Sequence, residues 1–255
     1  MSRSHQTLSF SAAEWALYAE CYDALTHIRP YQELVRAVHE LVPKTASNIL
    51  DVGCGTGTLL SSLSDTHPNS QLTGIDPTTA MLEQARRKLQ NRAELIKTTT
   101  AEAPEQFREA FDVVISCNVL YATPNPEAFL SQIRNFLVPG GVCIIATPKK
   151  GFDNGLIAKA HCNDSRADDY WLDPHSSPER ERHLVTEAFG TGTLSQAMIN
   201  VAYFNRKIAA TTQFHFLLES ELETLFQRTA LGITNMSLTY AKQTHLIKSH
   251  RKETA

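Results

Sequence analysis

The apolar run Ile49-Leu50-Asp51-Val52 ends in Gly53-Cys54-Gly55-Thr56-Gly57, and a helix-forming stretch opens directly behind it at Thr58. A buried strand that stops in such a cluster has to turn sharply into a helix, because glycine adopts tight-turn backbone angles and lets a ligand approach the main chain. The same turn leaves the N–H groups of the helix start free, an arrangement suited to negative or polar ligand atoms. Asp76 ends the next apolar run, Gln71 to Ile75, where a carboxylate can accept both hydroxyls of a ribose. Together these features imply a nucleotide-like ligand. The glycines are spaced G-x-G-x-G, not G-x-G-x-x-G, and Asp51 precedes them. A dinucleotide pyrophosphate gains nothing from that carboxylate, whereas an ammonium or sulfonium centre does. The pattern therefore counts against a nicotinamide dehydrogenase.

Composition narrows the setting. The 255 residues, 42% of them hydrophobic, suffice for one sizeable domain with a normal core. A formal net charge of −3 argues against a main role on a phosphate backbone or an anionic membrane. Cys21, Cys54, Cys117, Cys143 and Cys162 include no C-x-x-C pair, so reduced thiols are expected, not a disulfide framework or a zinc ribbon. Met1 to Phe10 lacks the apolar stretch of a signal peptide, and no window reaches the ~20 apolar residues of a membrane span. A cytoplasmic protein with no membrane or nucleic-acid partner is expected.

Along the chain, Ala12 to His27 is expected to form one helix with Ser11 as N-cap; Pro30 breaks it, and Tyr31 to Leu41 forms a second. Strands then alternate with helices: Asn48 to Val52, Thr58 to Ser64, Gln71 to Ile75, Thr78 to Leu89, Glu94 to Thr98, Phe111 to Ser116, Pro126 to Leu137, a turn at Pro139-Gly140-Gly141, and Val142 to Ala146. This rhythm implies right-handed βαβ units and a doubly wound parallel α/β sheet. Gly151 to Arg182 is polar, with Tyr170-Trp171-Leu172 its concentrated apolar spot, and reads as a lid. Helical periodicity returns over Leu184 to Ile208 and Glu219 to Leu231, and Ile233 to Tyr240 with His245 to Ser249 reads as a terminal antiparallel hairpin.

The stretches Ile49 to Leu60, Leu72 to Leu89 (with Gly74-Ile75-Asp76-Pro77 and Met81), Phe111 to Tyr121, and Phe136 to Ala146 with Leu137-Val138-Pro139-Gly140-Gly141 together resemble a class I S-adenosylmethionine-dependent methyltransferase of the small-molecule type. The resemblance covers about half the chain in the right order. It implies a seven-stranded Rossmann-like sheet with a terminal antiparallel hairpin, N-terminal helices and a lid insertion. The expected layout is a helical cap over 1–44, a cofactor-binding core over 45–150, a lid or substrate insertion over 151–212, and a completing helix and hairpin over 213–255.

By the same resemblance, Gly53, Cys54, Gly55 and Gly57 would line the methionine portion of S-adenosylmethionine, and Asp51 would sit near its amino end. Asp76 would take the ribose hydroxyls, and Pro77 and Met81 would flank the adenine. The acid that the family often places after the third strand is absent; Ala101, through its backbone, and Glu102 are the nearest candidates. Asn118 and Val119 would border the methionine and the acceptor pocket, and Tyr18 and Tyr22 resemble N-terminal tyrosines that close over the cofactor. Candidates for the acceptor pocket are Tyr22, Asn118, Tyr170, Trp171 and His175, with Tyr203 and His215 behind them. No catalytic residue is identified.

Each residue also has a structural alternative. Cys54 can be a small packing residue, Tyr22 a core aromatic of its helix, and Met81 core or adenine contact. His161, Asp168, Asp169, Asp173 and His175 lack the i, i+4 spacing of a helical metal set, so a solvated polar loop is expected and no metal. Lys149-Lys150 and Arg251-Lys252 are too short for a nucleic-acid footprint. After the fourth strand the chain reads Cys117-Asn118-Val119-Leu120-Tyr121, not the Asn-Pro-Pro-aromatic or Asp-Pro-Pro-aromatic tetrapeptide frequent in nucleic-acid methylation. A small-molecule O-, N- or C-acceptor is therefore expected. A cyclase or lyase that releases methylthioadenosine, and a non-catalytic cofactor-binding protein, remain the alternatives, and the acceptor, any general base and the oligomeric state are not legible. Asp76→Ala is expected to weaken cofactor binding markedly, since a buried hydroxyl pair loses a charged acceptor; unchanged affinity by calorimetry removes Asp76 from the site.

Overall fold

The computed structural model describes residues 10–162, 178–211 and 213–252. The parallel strands are rich in apolar residues because helices cover both faces of the sheet. They are β1 (Asn48–Val52), β2 (Gln71–Ile75), β3 (Glu94–Ile96), β4 (Phe111–Cys117) and β5 (Leu137–Pro148), joined by β6 (Leu231–Thr239) and β7 (Thr244–Arg251). The sheet has seven strands in the order β3-β2-β1-β4-β5-β7-β6. β1 to β5 pair in parallel, whereas β7 runs antiparallel to both β5 and β6, with Ile145 opposite Ile247. The α/β fold with a terminal antiparallel hairpin is thus present as expected.

Alternation along the strands feeds two cores. Ile49, Val113, Ile115, Ile144 and Leu246 face one layer of helices: α2 (Arg29–Leu41), α3 (Thr58–Thr66) and α4 (Thr79–Leu89), reached after α1 (Ala12–Ala19). Leu50, Val52, Val114, Ile145 and Ile247 face α5 (Pro126–Phe136) and, further along the chain, α9 (Glu219–Arg228). Between β5 and α9 come α6 (Asn154–Cys162), α7 (Pro178–Phe189) and α8 (Thr193–Ala210). No helix of the described residues is long and apolar enough to cross a membrane.

Several local expectations are corrected. The helix expected over Ala12 to His27 is two pieces, α1 and a 3₁₀ turn, Tyr22–His27; Asp23 leaves the α spiral to reach Thr56 and Lys88. Pro30 does not separate helices but occupies the first turn of α2, where its missing N–H costs nothing. The Pro139-Gly140-Gly141 turn lies within β5, in an excursion between Leu137, paired with Phe111, and Val142, paired with Val113. Leu184 to Ile208 is divided between α7 and α8 at Gly190 and Gly192, both with positive φ.

Gly57, the N-cap of α3, has φ +75°, and a Cβ there would lie 2.8 Å from Leu89 Cδ1, 3.0 Å from Ala85 Cβ and 3.3 Å from Ala85 Cα. Gly140 has nearly the same φ, +74°, with open space around it. Comparing them separates backbone strain from crowding. Gly140→Ala is expected to cost about 1 kcal/mol for the left-handed conformation, and Gly57→Ala at least about 1 kcal/mol more because α4 must shift. Denaturant unfolding of the two variants checks this, and equal losses would show that α3 and α4 yield without cost.

Candidate functional site

Two cavities open at the carboxyl ends of the parallel strands, beside the β1/β4 boundary where the strand order reverses, the usual ligand position in such sheets. The first has an empty volume of about 460 Å³, mouth included. Its walls are Asp51, Gly53, Cys54, Gly55, Thr56 and Cys117, with Tyr31, Leu34 and Val35 from α2. The second, about 570 Å³ with its mouth, is bounded by Trp15 and Tyr18 of α1, Tyr121 beyond β4, Pro148 and Phe152 at the end of β5, Asn205 and Ile208 of α8, Phe216, and Tyr240 at the β6/β7 hairpin. Tyr22 and Asn118 line both.

The glycine loop is fastened to the end of β2. The N–H groups of Gly53 and Cys54 donate to the Ile75 carbonyl at 2.8 and 3.0 Å. Asp76 accepts from Gly55 N–H at 3.0 Å and, through its other oxygen, from Thr78 N–H at 2.7 Å. Burial pushes the Asp76 carboxyl up, and the bonds from Thr78 and Gly55 pull it back. Val119 closes the loop from behind: a Cβ on Gly53 would meet Val119 Cγ2 at 2.3 Å. Met81 is buried with its sulfur near Gly55, and Pro77 is exposed.

Asp51 is 2% exposed and has no hydrogen-bond partner among the described residues. Burial, then the charge of Asp76, lift its pKa to about 7. Cys54 and Cys117 are pushed well above the ordinary thiol value by burial, with Asp51 adding to the shift, so neither is an activated nucleophile. Asn118 adopts φ +57°, its N–H donates to the Ala146 carbonyl at 2.8 Å, and its buried Oδ1 has no partner. The Tyr22 hydroxyl is lifted by burial to about 12 while hydrogen bonds from Tyr31 and Asn118 oppose the rise. Tyr18 donates to Asn205 Oδ1 at 2.7 Å.

Of the expected cofactor residues, Tyr22, Asp51, Gly53, Cys54, Gly55 and Asn118 line the first cavity. Asp76, Met81, Val119 and Gly57 stand behind its glycine wall, and Tyr18 faces the second cavity instead. Ala101 and Glu102 are exposed, with Glu102 accepting from Thr99 at 3.2 Å. Tyr203 is 60% exposed and lines neither cavity. His215 also lies outside both and serves through its backbone N–H, which donates to the Tyr121 carbonyl at 2.7 Å. Tyr170, Trp171 and His175, with Asp168, Asp169 and Asp173, lie outside the described residues; His161 stacks on Phe189 at 5.1 Å.

Sequence reasoning missed the residue that anchors the shared wall. Asp23, next to Tyr22, accepts from Thr56 Oγ1 at 2.6 Å and from Lys88 Nζ at 2.8 Å, and Lys88 also donates to Thr58 at 2.8 Å. The available signal was an acid beside a buried tyrosine, opposite threonines flanking Gly57.

The pKa of Asp51 yields a test. Its folded value lies above its unfolded value, so the folded chain keeps a proton that the unfolded chain releases, and this group subtracts stability progressively as pH rises from about 4 to about 7. Asp51→Asn is therefore expected to gain melting temperature relative to the native chain across that interval and to hold the difference above it. A pH-independent difference in circular-dichroism melts would show that Asp51 is ionised throughout.

Residues 50–143 match the model of a methyltransferase domain. A trans-aconitate 2-methyltransferase of Methylobacterium radiotolerans is 32% identical over 138 residues, 53% of this chain and 50% of that protein. A tRNA U34 carboxymethyltransferase of Haemophilus influenzae is 39% identical over 117 residues, 44% of this chain and 36% of that protein. The chain spans about half the length, or less, of these curated relatives. The 1,6-didemethyltoxoflavin-N1-methyltransferase of Burkholderia thailandensis, solved with its substrate and S-adenosylhomocysteine, shares the fold at a TM-score of 0.60 and 13% identity, covering 99% of this chain and 92% of that one. Residues 50–143 thus match a methyltransferase domain, and the glycine loop, the strand order and the reversed hairpin around that segment form an α/β fold shared with S-adenosylmethionine-dependent methyltransferases.

Proposed function

We propose that the protein transfers the methyl group of S-adenosylmethionine to a small-molecule acceptor. The observation that carries this reading is the pair of cavities with a common wall, Tyr22 and Asn118, one floored by the glycine loop and the other closed by rings. The residues of the first fit the cofactor. Asp51 is a buried carboxylate with no partner among the described residues, which an ammonium group would satisfy. Gly53, Cys54 and Gly55 line the cavity, and a Cβ on Gly53 would collide with Val119 Cγ2 at 2.3 Å, so a side chain there would displace the loop. Asp76 uses one hydrogen bond on each oxygen, leaving acceptor capacity for ribose hydroxyls.

In this reading Pro77 and Met81 flank the adenine, Ala101 and Glu102 stand nearest its amino group, and Val119 supports the loop. Tyr18 and Tyr22 close the site from the N-terminal side. When bound, the cofactor would supply an electrophilic methyl carbon to an acceptor lone pair. The chain's contribution is positioning and exclusion of water. Burial holds the thiols and tyrosines of both cavities protonated, so none of these supplies a general base at neutral pH.

The two relatives act, by their names, on trans-aconitate and on tRNA. A small acceptor is favoured by the net charge of −3; Arg251, in one of the basic pairs, is engaged by Glu109 and the Leu137 carbonyl. The free thiols Cys21, Cys54, Cys117 and Cys143 suit a reducing cytoplasm. The test is incubation of the purified chain with S-adenosylmethionine alone, with a metabolite extract, and with bulk tRNA, the products followed by mass spectrometry. Extract-dependent S-adenosylhomocysteine with a matching gain of one methyl group is expected. Methylthioadenosine from the cofactor alone, methylated tRNA, or binding without turnover in any mixture would overturn the proposal.

A further inference from the structure

The second cavity is lined by rings and amides, and among the described residues that bound it there is no Asp, Glu, Lys, Arg or His. Trp15, Tyr18, Tyr22, Tyr121, Phe152 and Tyr240 are among the rings that line it. Lys207 pairs with Glu14, and Lys88 with Asp23, outside it. Burial raises the hydroxyl pKa of Tyr18, Tyr22, Tyr121 and Tyr240, so these walls stay neutral throughout the physiological range.

The rings are held in place. Tyr121 stacks on Phe216 at 5.5 Å and 20° and meets Phe214 edge-on at 5.2 Å, and Tyr18 is fixed by Asn205. Tyr240 enters the cavity from a strained turn in which Tyr240, Ala241 and Lys242 all have positive φ, 54°, 54° and 61°. Consecutive left-handed residues other than glycine persist only where their surroundings over-determine them. Here Gln243, 2% exposed, supplies the lock. Its N–H donates to the Thr239 and Tyr240 carbonyls at 3.1 Å, its backbone carbonyl accepts from Lys149 N–H at 3.0 Å, and its Oε1 accepts from Asp153 N–H at 3.1 Å. Asn118 Oδ1 is buried at the common wall without a partner.

An ionised carboxylate or phosphate entering such a chamber sheds its hydration and meets no cation, which is costly. A flat uncharged ring gains stacking and edge contacts with the wall rings, and a donor on it satisfies Asn118 Oδ1. We propose that the chamber binds an uncharged aromatic or heteroaromatic acceptor bearing a hydroxyl or ring N–H, presented toward Asn118, and that it rejects anionic acceptors. The assignment of the chamber to the acceptor rests on the reading of the first cavity as the S-adenosylmethionine site.

A matched pair of probes tests this. 2-Naphthol and 2-naphthoate share a ring system and differ in charge at neutral pH. Equilibrium dialysis against the full chain saturated with S-adenosylhomocysteine is expected to show 2-naphthol bound at least about tenfold more tightly than 2-naphthoate. Asn205→Lys, which places a cation in the wall, is expected to move that ratio toward 2-naphthoate by about tenfold, with thermal melting reporting that the variant is folded. Equal or tighter binding of 2-naphthoate by the native chain overturns the proposal, as does failure of both probes to bind while S-adenosylhomocysteine binds. Failure of S-adenosylhomocysteine itself to bind is a separate outcome: it overturns the cofactor-site reading and the chamber's assignment with it.

Discussion

The bond from Gly55 N–H to the Asp76 carboxylate ties the turn after β1 to the end of β2, and much of the molecule is arranged around it. With the bonds from Gly53 and Cys54 to Ile75, it fixes a backbone that, being largely glycine, has little side-chain packing of its own to define it. The fixed loop sets where α3 begins, which brings Gly57 against Ala85 and Leu89 of α4. It also presents Thr56 and Thr58 to Asp23, and through Asp23 the N-terminal segment finds its place. A single buried carboxylate thus orders two strands, two helices and the turn that bears Tyr22.

The strands were legible because of how they are buried. β1, β2 and β4 are covered on both faces, so most of their positions are buried and apolar, and their ends could be placed to within a residue or two. The floor of the first cavity follows from one of those ends, and Asp51, Gly53, Cys54 and Gly55 could be named from sequence for that reason. The segment 12–27 was harder. Its apolar spacing is compatible with one helix, and what divides it is the pull of Thr56 and Lys88 on Asp23, residues more than thirty positions away in sequence. The ring-lined cavity is assembled from α1, the ends of β4 and β5, α8 and the final hairpin, and no local pattern links those pieces. Nothing in Tyr240-Ala241-Lys242 announces three left-handed residues, because the conformation is imposed by Gln243 and the backbone it grips.

The two cavities differ in electrical character across a thin partition. On one side Asp51 and Asp76 lie close enough for the charge of one to raise the pKa of the other, which favours a proton on Asp51 that a cationic ligand would replace. On the other side the described walls carry no formal charge. Such a contrast sorts ligands by charge before shape is considered, and it keeps a cationic group on the acidic side.

The partition itself is small. Tyr22 and Asn118 belong to both spaces; Tyr22 rides on a short 3₁₀ turn, and Asn118 holds a left-handed backbone. Tyr31 and Asn118 both act on the Tyr22 hydroxyl, opposing the rise in its pKa, so a molecule that draws any of these groups toward itself alters the boundary seen from the far side. Thermodynamic linkage then makes the influence symmetrical: whatever the first occupant does to the affinity of the second, the second does in equal measure to the first. Two rooms with one shared wall cannot be furnished independently.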